Sequence, residues 1–229
     1  MTEHRGPHPI DNVRRRFDGA YGAIYDGLVS RPAGLRAVSA AFGFDRVLVE
    51  IPRLVRAAYG DAPGEELLDV PCGAFGSLAH GAEVARSADV VGVDLAEVML
   101  DRARTRIREL APAFSVRPVH GDALDLPFDD ASFGAALSIN GLHCLPDHAG
   151  FARSVARVLR PGGTFTLTTL VDRGTLHSRG VNAAFTRAHV LPRTPPRVEV
   201  LDDLLDAAGF DVTEALEGRV FVARRLVRR

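Results

Sequence analysis

The sequence predicts an α/β fold, a mostly parallel sheet covered by helices on both faces and preceded by a helical cap. Three observations carry this. Short apolar runs alternate with stretches of helical periodicity from Leu67 to about residue 170. The runs are apolar nearly throughout rather than at every second residue, as in strands buried on both faces. The chain then closes on two runs separated only by Glu217-Gly218, and so short a turn makes the two strands antiparallel neighbours.

Residues 1–10 are polar, with Pro7 and Pro9, and read as a loose arm. From Asp11 to about Tyr59 apolar residues recur at helical spacing, with breaks expected at Arg31-Pro32 and Ile51-Pro52. This gives a division into an arm and cap, residues 1–60, and a sheet domain, residues 61–229. Within the cap, Phe17, Tyr21 and Tyr25 share one helix face, the usual pattern of a core stripe.

Strands are expected at 66–70, 89–94, 114–119, 134–139 and 164–171, and helices at 77–86, 96–110 and 148–159. A polar, proline-rich stretch from Asp172 to Pro196 reads as a substrate-side insertion or a mobile segment. Helix 199–208 ends at Gly209, and strands near 210–216 and 219–226 complete the chain.

With 46% apolar and 25% charged residues, the 229-residue chain has the composition of an ordinary globular domain. Its 28 basic and 29 acidic residues leave a net charge of −1, so no overall field attracts nucleic acid or an anionic membrane. Cys72 and Cys144 are too few for a disulfide framework. No apolar run has the length of a membrane span, and the first residues lack an apolar signal core. A cytoplasmic location is the expectation. His, Cys, Asp and Glu form no spaced metal-binding set, and oligomeric state is not legible.

The informative stretch is Glu66 to Leu95. Leu67-Leu68-Asp69-Val70 breaks into Pro71-Cys72-Gly73-Ala74-Phe75-Gly76, a short helix follows, and Val90-Val91-Gly92-Val93 ends at Asp94. The layout sets a helix N-terminus and an acid on the same side of a parallel sheet, with the acid about 20 residues after the first loop glycine. It reads as a site for an adenosine-containing cofactor.

With its later segments included, the chain resembles the class I S-adenosylmethionine-dependent methyltransferases over about residues 64–225. The likeness rests on the glycine loop, on Gly92-Val93-Asp94-Leu95-Ala96-Glu97-Val98-Met99-Leu100, on Gly121-Asp122-Ala123-Leu124-Asp125-Leu126-Pro127-Phe128, and on Arg157-Val158-Leu159-Arg160-Pro161-Gly162-Gly163. The resemblance implies a Rossmann-like sheet of seven strands, the last antiparallel, with S-adenosyl-L-methionine across the carboxyl ends of the first four. It implies Asp94 on the ribose hydroxyls, Asp122 and Ala123 at the adenine, Asp69 and Gly73 at the methionine end, and Leu95 and Met99 in the cofactor lining. Asn140 would lie near the transferable methyl, Tyr25 would cover the cofactor, and His143 is the candidate proton acceptor. The implied reaction is methyl transfer to a small molecule, driven mainly by proximity and orientation.

The loop departs from the family's Gly-x-Gly-x-Gly. Pro71 stands at the first glycine, and Ala74-Phe75 occupy the place of one small residue, so Phe75 either folds beneath the turn or crowds the methionine carboxylate. Two other readings stay open: a nicotinamide-dependent oxidoreductase, because Asp94 suits either ribose, and a methyltransferase-like protein with a non-methylating role.

Overall fold

The computed structural model describes residues 30–229 apart from 44, 62–64, 83–88, 111, 189–190 and 192–193, together with residue 27. Among the described residues, helices α1 (Pro32–Ala41) and α2 (Arg46–Gly60) precede the sheet. They are followed by β1 (Leu67–Asp69), α3 (Leu78–Gly81), β2 (Val90–Asp94), α4 (Glu97–Leu110), β3 (Val116–His120) and β4 (Phe133–Ile139). After a 3-10 turn at Leu142–Cys144 come α5 (His148–Val158), β5 (Leu159–Leu170), α6 (Leu176–Arg187), α7 (Val198–Ala207), β6 (Phe210–Glu217) and β7 (Phe221–Arg228).

The strands form one seven-stranded sheet in the order β3-β2-β1-β4-β5-β7-β6. Strands β1 to β5 pair in parallel, and β7 runs antiparallel to both β5 and β6, as the resemblance implied. A dinucleotide-binding sheet of order 3-2-1-4-5-6 has no such inserted reverse strand.

Alternate strand residues feed two cores, because successive side chains in a strand point to opposite faces. Leu67, Val90, Ala135 and Leu137 join α2's Val47, Leu48, Ile51, Leu54 and Val55 on one face. Their neighbours Leu68, Val91 and Ala136 join Phe151 and Val155 of α5 and Leu201 and Leu205 of α7 on the other.

The structure overrides one expectation and adds an element to another. Pro52 does not break the second cap helix but lies inside α2, buried. A proline within a helix costs about 3 kcal/mol, whereas each fully buried aliphatic side chain contributes roughly 1.5–3 kcal/mol. The buried apolar face of α2 therefore outweighs the lost amide. The stretch 172–196 carries the twelve-residue helix α6. Thr175 caps it by accepting from the Ser178 amide at 3.1 Å, and Phe185 packs edge-on against Phe42 at 5.4 Å between ring centroids. Among the described residues its apolar hold on the core is Val181 and Phe185, too sparse a stripe to stand out among polar residues.

Asp45 ties the cap to the sheet. Buried at the start of α2, it accepts from Val47 at 3.0 Å and from the Val220 and Phe221 amides at 2.8 and 3.0 Å. No helix among the described residues is long and apolar enough to cross a membrane.

Candidate functional site

The glycine loop leaves β1 pinned at several points. The Cys72 amide donates to the Val93 carbonyl at 2.9 Å, the Gly73 amide to Asp94 Oδ2 at 2.8 Å, and the Arg106 guanidinium to the Ala74 carbonyl at 2.6 Å. Gly73 has φ +53°, and a Cβ there would stand 3.3 Å from Met99 Cε. Glycine thus keeps open a narrow cradle between loop and α4, walled by Ala74, Ala96 and Met99.

Phe75 resolves the loop's irregularity. At φ +55° and fully buried, it turns its ring beneath the loop and onto Gly92, where any Cβ would overlap the ring. The extra residue therefore drops into the core and leaves Ala74 as the small residue facing the cradle. Pro71 packs against Gly141 beyond β4, which likewise has no room for a side chain.

Asp69, at the end of β1, is buried and accepts from the Ser77 hydroxyl. Ser77 Oγ is in turn 3.4 Å from the hydroxyl of Tyr59 on α2. Burial lifts the Asp69 carboxyl to about 7, opposed by the Ser77 bond and assisted by the Asp94 charge. Burial likewise raises the Tyr59 phenol. Ser77 and Tyr59 were not singled out in the sequence; the one local signal was a serine directly after Gly76 at a helix start.

Asp94 ends β2 with each oxygen on an amide, Oδ2 on Gly73 and Oδ1 on Ala96 at 2.9 Å. Burial raises its carboxyl, and the Ala96, Gly73 and Leu95 amides oppose the shift. A carboxylate oxygen has two acceptor positions, so both remain able to take a ligand hydroxyl. The Asp94 carbonyl accepts from Gly121 at 3.1 Å, which draws in the end of β3. There Asp122 is exposed and accepts from Leu124 at 2.9 Å through Oδ1, while Ala123 is buried. Leu95 is half-buried, its carbonyl 3.1 Å from His120 Nε2.

Asn140 follows β4 at φ +57°, a conformation asparagine tolerates better than most residues. Its amide donates to the Thr168 carbonyl at 2.9 Å and to Thr168 Oγ1 at 3.0 Å, and that hydroxyl donates to Asn140 Oδ1 at 3.0 Å. His143 points elsewhere, into the sheet. Its Nδ1 accepts from the Leu170 amide at 3.0 Å and lies 3.1 Å from Thr169 Oγ1, so the neutral ring carries its proton on Nε2. Burial, with His148 nearby, lowers His143 to about 3. Cys72 and Cys144 are free thiols that burial raises, Cys144 to about 12. Tyr25 lies outside the described residues.

Asp69, Gly73, Asp94, Asp122, Ala123 and Asn140 thus belong to adjoining strand ends and the loops that follow them, with Met99 of α4 beside Gly73 and His143 anchored to the β5 backbone. The donor set suits S-adenosyl-L-methionine. Carboxylates end β1 and β2 and follow β3, which fits vicinal hydroxyls, an amino group and a cationic sulfonium better than a pyrophosphate, and the open cradle at Gly73 admits a close ligand. Among the described residues no group of three or more His, Cys, Asp or Glu side chains is placed to hold a metal ion.

Residues 68–167 match the family described as methyltransferase domain. The O-methyltransferase cnsE of Penicillium expansum is 33% identical over 171 residues, 74% of this chain and 60% of that protein. The 2-phytyl-1,4-naphtoquinone methyltransferase of Synechococcus elongatus is 41% identical over 102 residues, 44% of this chain and 43% of that protein. The chain therefore spans only part of these relatives' lengths. Among solved structures, geranyl diphosphate C-methyltransferase from Streptomyces coelicolor A3(2) has a TM-score of 0.65 at 18% identity, covering 78% of this chain and 79% of that one. The [4+2]-cyclase SpnF scores 0.63 at 20% identity, covering 77% and 80%.

Proposed function

We propose that this chain, which carries a class I S-adenosylmethionine-dependent methyltransferase domain, transfers the methyl group of that cofactor to a small-molecule acceptor. The observation that carries this reading is the closure of the glycine loop on Asp94 beside the Gly73–Met99 cradle. When bound, the cofactor supplies an electrophilic methyl on a sulfonium.

In this reading Asp94 holds the ribose hydroxyls, Asp122 and Ala123 the adenine, and Asp69 and Gly73 the methionine end, with Leu95 and Met99 in the lining. Asn140, fixed by Thr168, faces the reacting end, and Tyr25 covers the cofactor. The rate comes mainly from holding acceptor and methyl in near-attack geometry. Residues 1–60 act as a cap on the domain formed by 61–229. The near-neutral charge supports a protein without nucleic-acid partners, the two free thiols support a cytoplasmic one, and the small molecules in the relatives' names support the acceptor class. Calorimetry with S-adenosylhomocysteine, followed by labelled-methyl transfer into metabolite extracts, tests the reading. Failure to bind overturns it, and binding without transfer to any acceptor points to non-methylating chemistry on the same fold.

At the adenine, Asp122→Asn keeps a carbonyl acceptor but loses the charge. Its affinity for S-adenosylhomocysteine is expected to lie between those of wild type and Asp122→Ala. Equal affinities in all three proteins remove Asp122 from the site.

His143 is the candidate for proton transfer, and its surroundings set the test. The folded protein keeps it neutral down to about pH 3, whereas the unfolded chain protonates it near its ordinary 6.5. Its contribution to stability is therefore complete above about pH 6.5 and is lost as pH falls toward 3. Asp69, raised to about 7, works in the opposite sense, favouring the fold at low pH and losing that contribution as pH rises from about 4 to 7. The informative quantity is thus the stability difference between wild type and His143→Asn, in which Asp69 is common to both. That difference should shrink between about pH 7 and 4. We expect turnover of His143→Asn to fall less than about tenfold, with no acidic limb from His143 between about pH 5 and 8. A loss of several powers of ten would make His143 the base.

A further inference from the structure

Helix α6 has two faces with different uses. Val181, Asn182 and Phe185 turn toward the protein, while Arg179, Thr186 and Arg187 face outward and line a groove of about 380 Å³. Asp172, just beyond the carboxyl end of β5, and Thr194 form its other wall. The groove therefore opens beside the strand that neighbours β4, whose end carries Asn140.

Its charge is unbalanced. Among the described residues neither Arg179 nor Arg187 pairs with a carboxylate, whereas Arg224 and Arg225 of β7 and Arg229 after it do. Asp172 is already engaged, its Oδ1 accepting from the Gly174 amide at 2.8 Å and the Ser178 hydroxyl at 3.2 Å. Asn182 lines the same groove while only 4% exposed, and its Oδ1 has no hydrogen-bond partner among the described residues. A buried amide oxygen left unpaired is costly, so this wall has an unmet demand for a donor such as a bound water or a ligand hydroxyl.

We propose that this groove binds an anionic group, a carboxylate or a phosphate, of the methyl acceptor, with Arg179 and Arg187 as its ligands and Thr194 as a hydroxyl donor; the Thr186 hydroxyl is already spent on the Asn182 carbonyl at 2.9 Å. Guanidinium groups match both anions with paired N–H donors. The inference rests on the methyl-transfer reading only in calling the ligand an acceptor.

The test uses three probes with one tail and different heads, octanoate, octyl phosphate and octanamide, titrated into the full-length protein at constant ionic strength. At least one charged probe should bind tenfold or more tightly than octanamide, and the better of the two names the anion. In the double variant Arg179→Gln/Arg187→Gln that preference should fall to within twofold, while S-adenosylhomocysteine affinity and the urea midpoint stay at wild-type values. No binding of a charged probe at millimolar concentration, no preference over octanamide, or a preference that the double variant retains overturns the proposal. If the charged preference is present and is erased in the variant while neither protein binds S-adenosylhomocysteine, the groove stands and the methyltransferase reading falls.

Discussion

Asp94→Ala is expected to lower the affinity for S-adenosylhomocysteine by about 1.5–3 kcal/mol, the range for a hydrogen bond to a charged group, or roughly 10- to 150-fold. The structure puts the upper part of that range in view. Asp94 is proposed to hold the ribose, and it also accepts from the Gly73 and Ala96 amides. Removing it strips the loop of its closing bond at the residue that forms the cradle. Asp94→Asn separates the two effects, because it keeps one carbonyl oxygen for an amide and loses the charge offered to the hydroxyls, so an intermediate loss is expected. Isothermal titration with urea unfolding of each variant decides the matter. An unchanged affinity in a folded Asp94→Ala protein removes Asp94 from the cofactor site.

Phe75→Ala should produce the largest loss of stability, about 3–5 kcal/mol, the usual cost of truncating a buried aromatic ring. The ring is fully buried and fills the space above Gly92. Its loss leaves a cavity directly beneath the loop, so cofactor affinity should fall with stability. Phe75→Leu refills most of that volume and should recover most of both. Gly92→Ala approaches the same contact from the strand side and should be destabilising by overpacking, since its Cβ would overlap the ring. A urea midpoint for Phe75→Ala within error of wild type would mean that the ring does not hold the loop.

Much of the framework was legible along the chain because its signals are local. Val90 to Val93 read as a doubly buried strand from composition, and Glu217-Gly218 forced an antiparallel ending because so short a turn permits nothing else. The placement of Asp94 after the loop glycine was legible too, since one strand, turn, helix and strand fix that distance by their own lengths. Helix α6 carries a weak signal because, among the described residues, it holds to the core through Val181 and Phe185 alone. Pro52 misled because a local steric rule was overruled by a helix face packed on the sheet.

By itself, then, the sequence determined the alternation of strands and helices, the reversed strand of the closing hairpin and the acids at the strand ends, each set by neighbours along the chain. Only the tertiary structure decided what happens inside the loop. Phe75 meets Gly92 once β1 and β2 pair, and Pro71 meets Gly141 once β4 lies beside β1. Protonation was decided there as well. Asp69 is lifted because the chain encloses it, with Tyr59 of α2 behind Ser77, and His143 is kept neutral because it is buried with its Nδ1 taken by the Leu170 amide. Burial and hydrogen bonding of this kind depend on segments far apart in sequence, so no local pattern announces them.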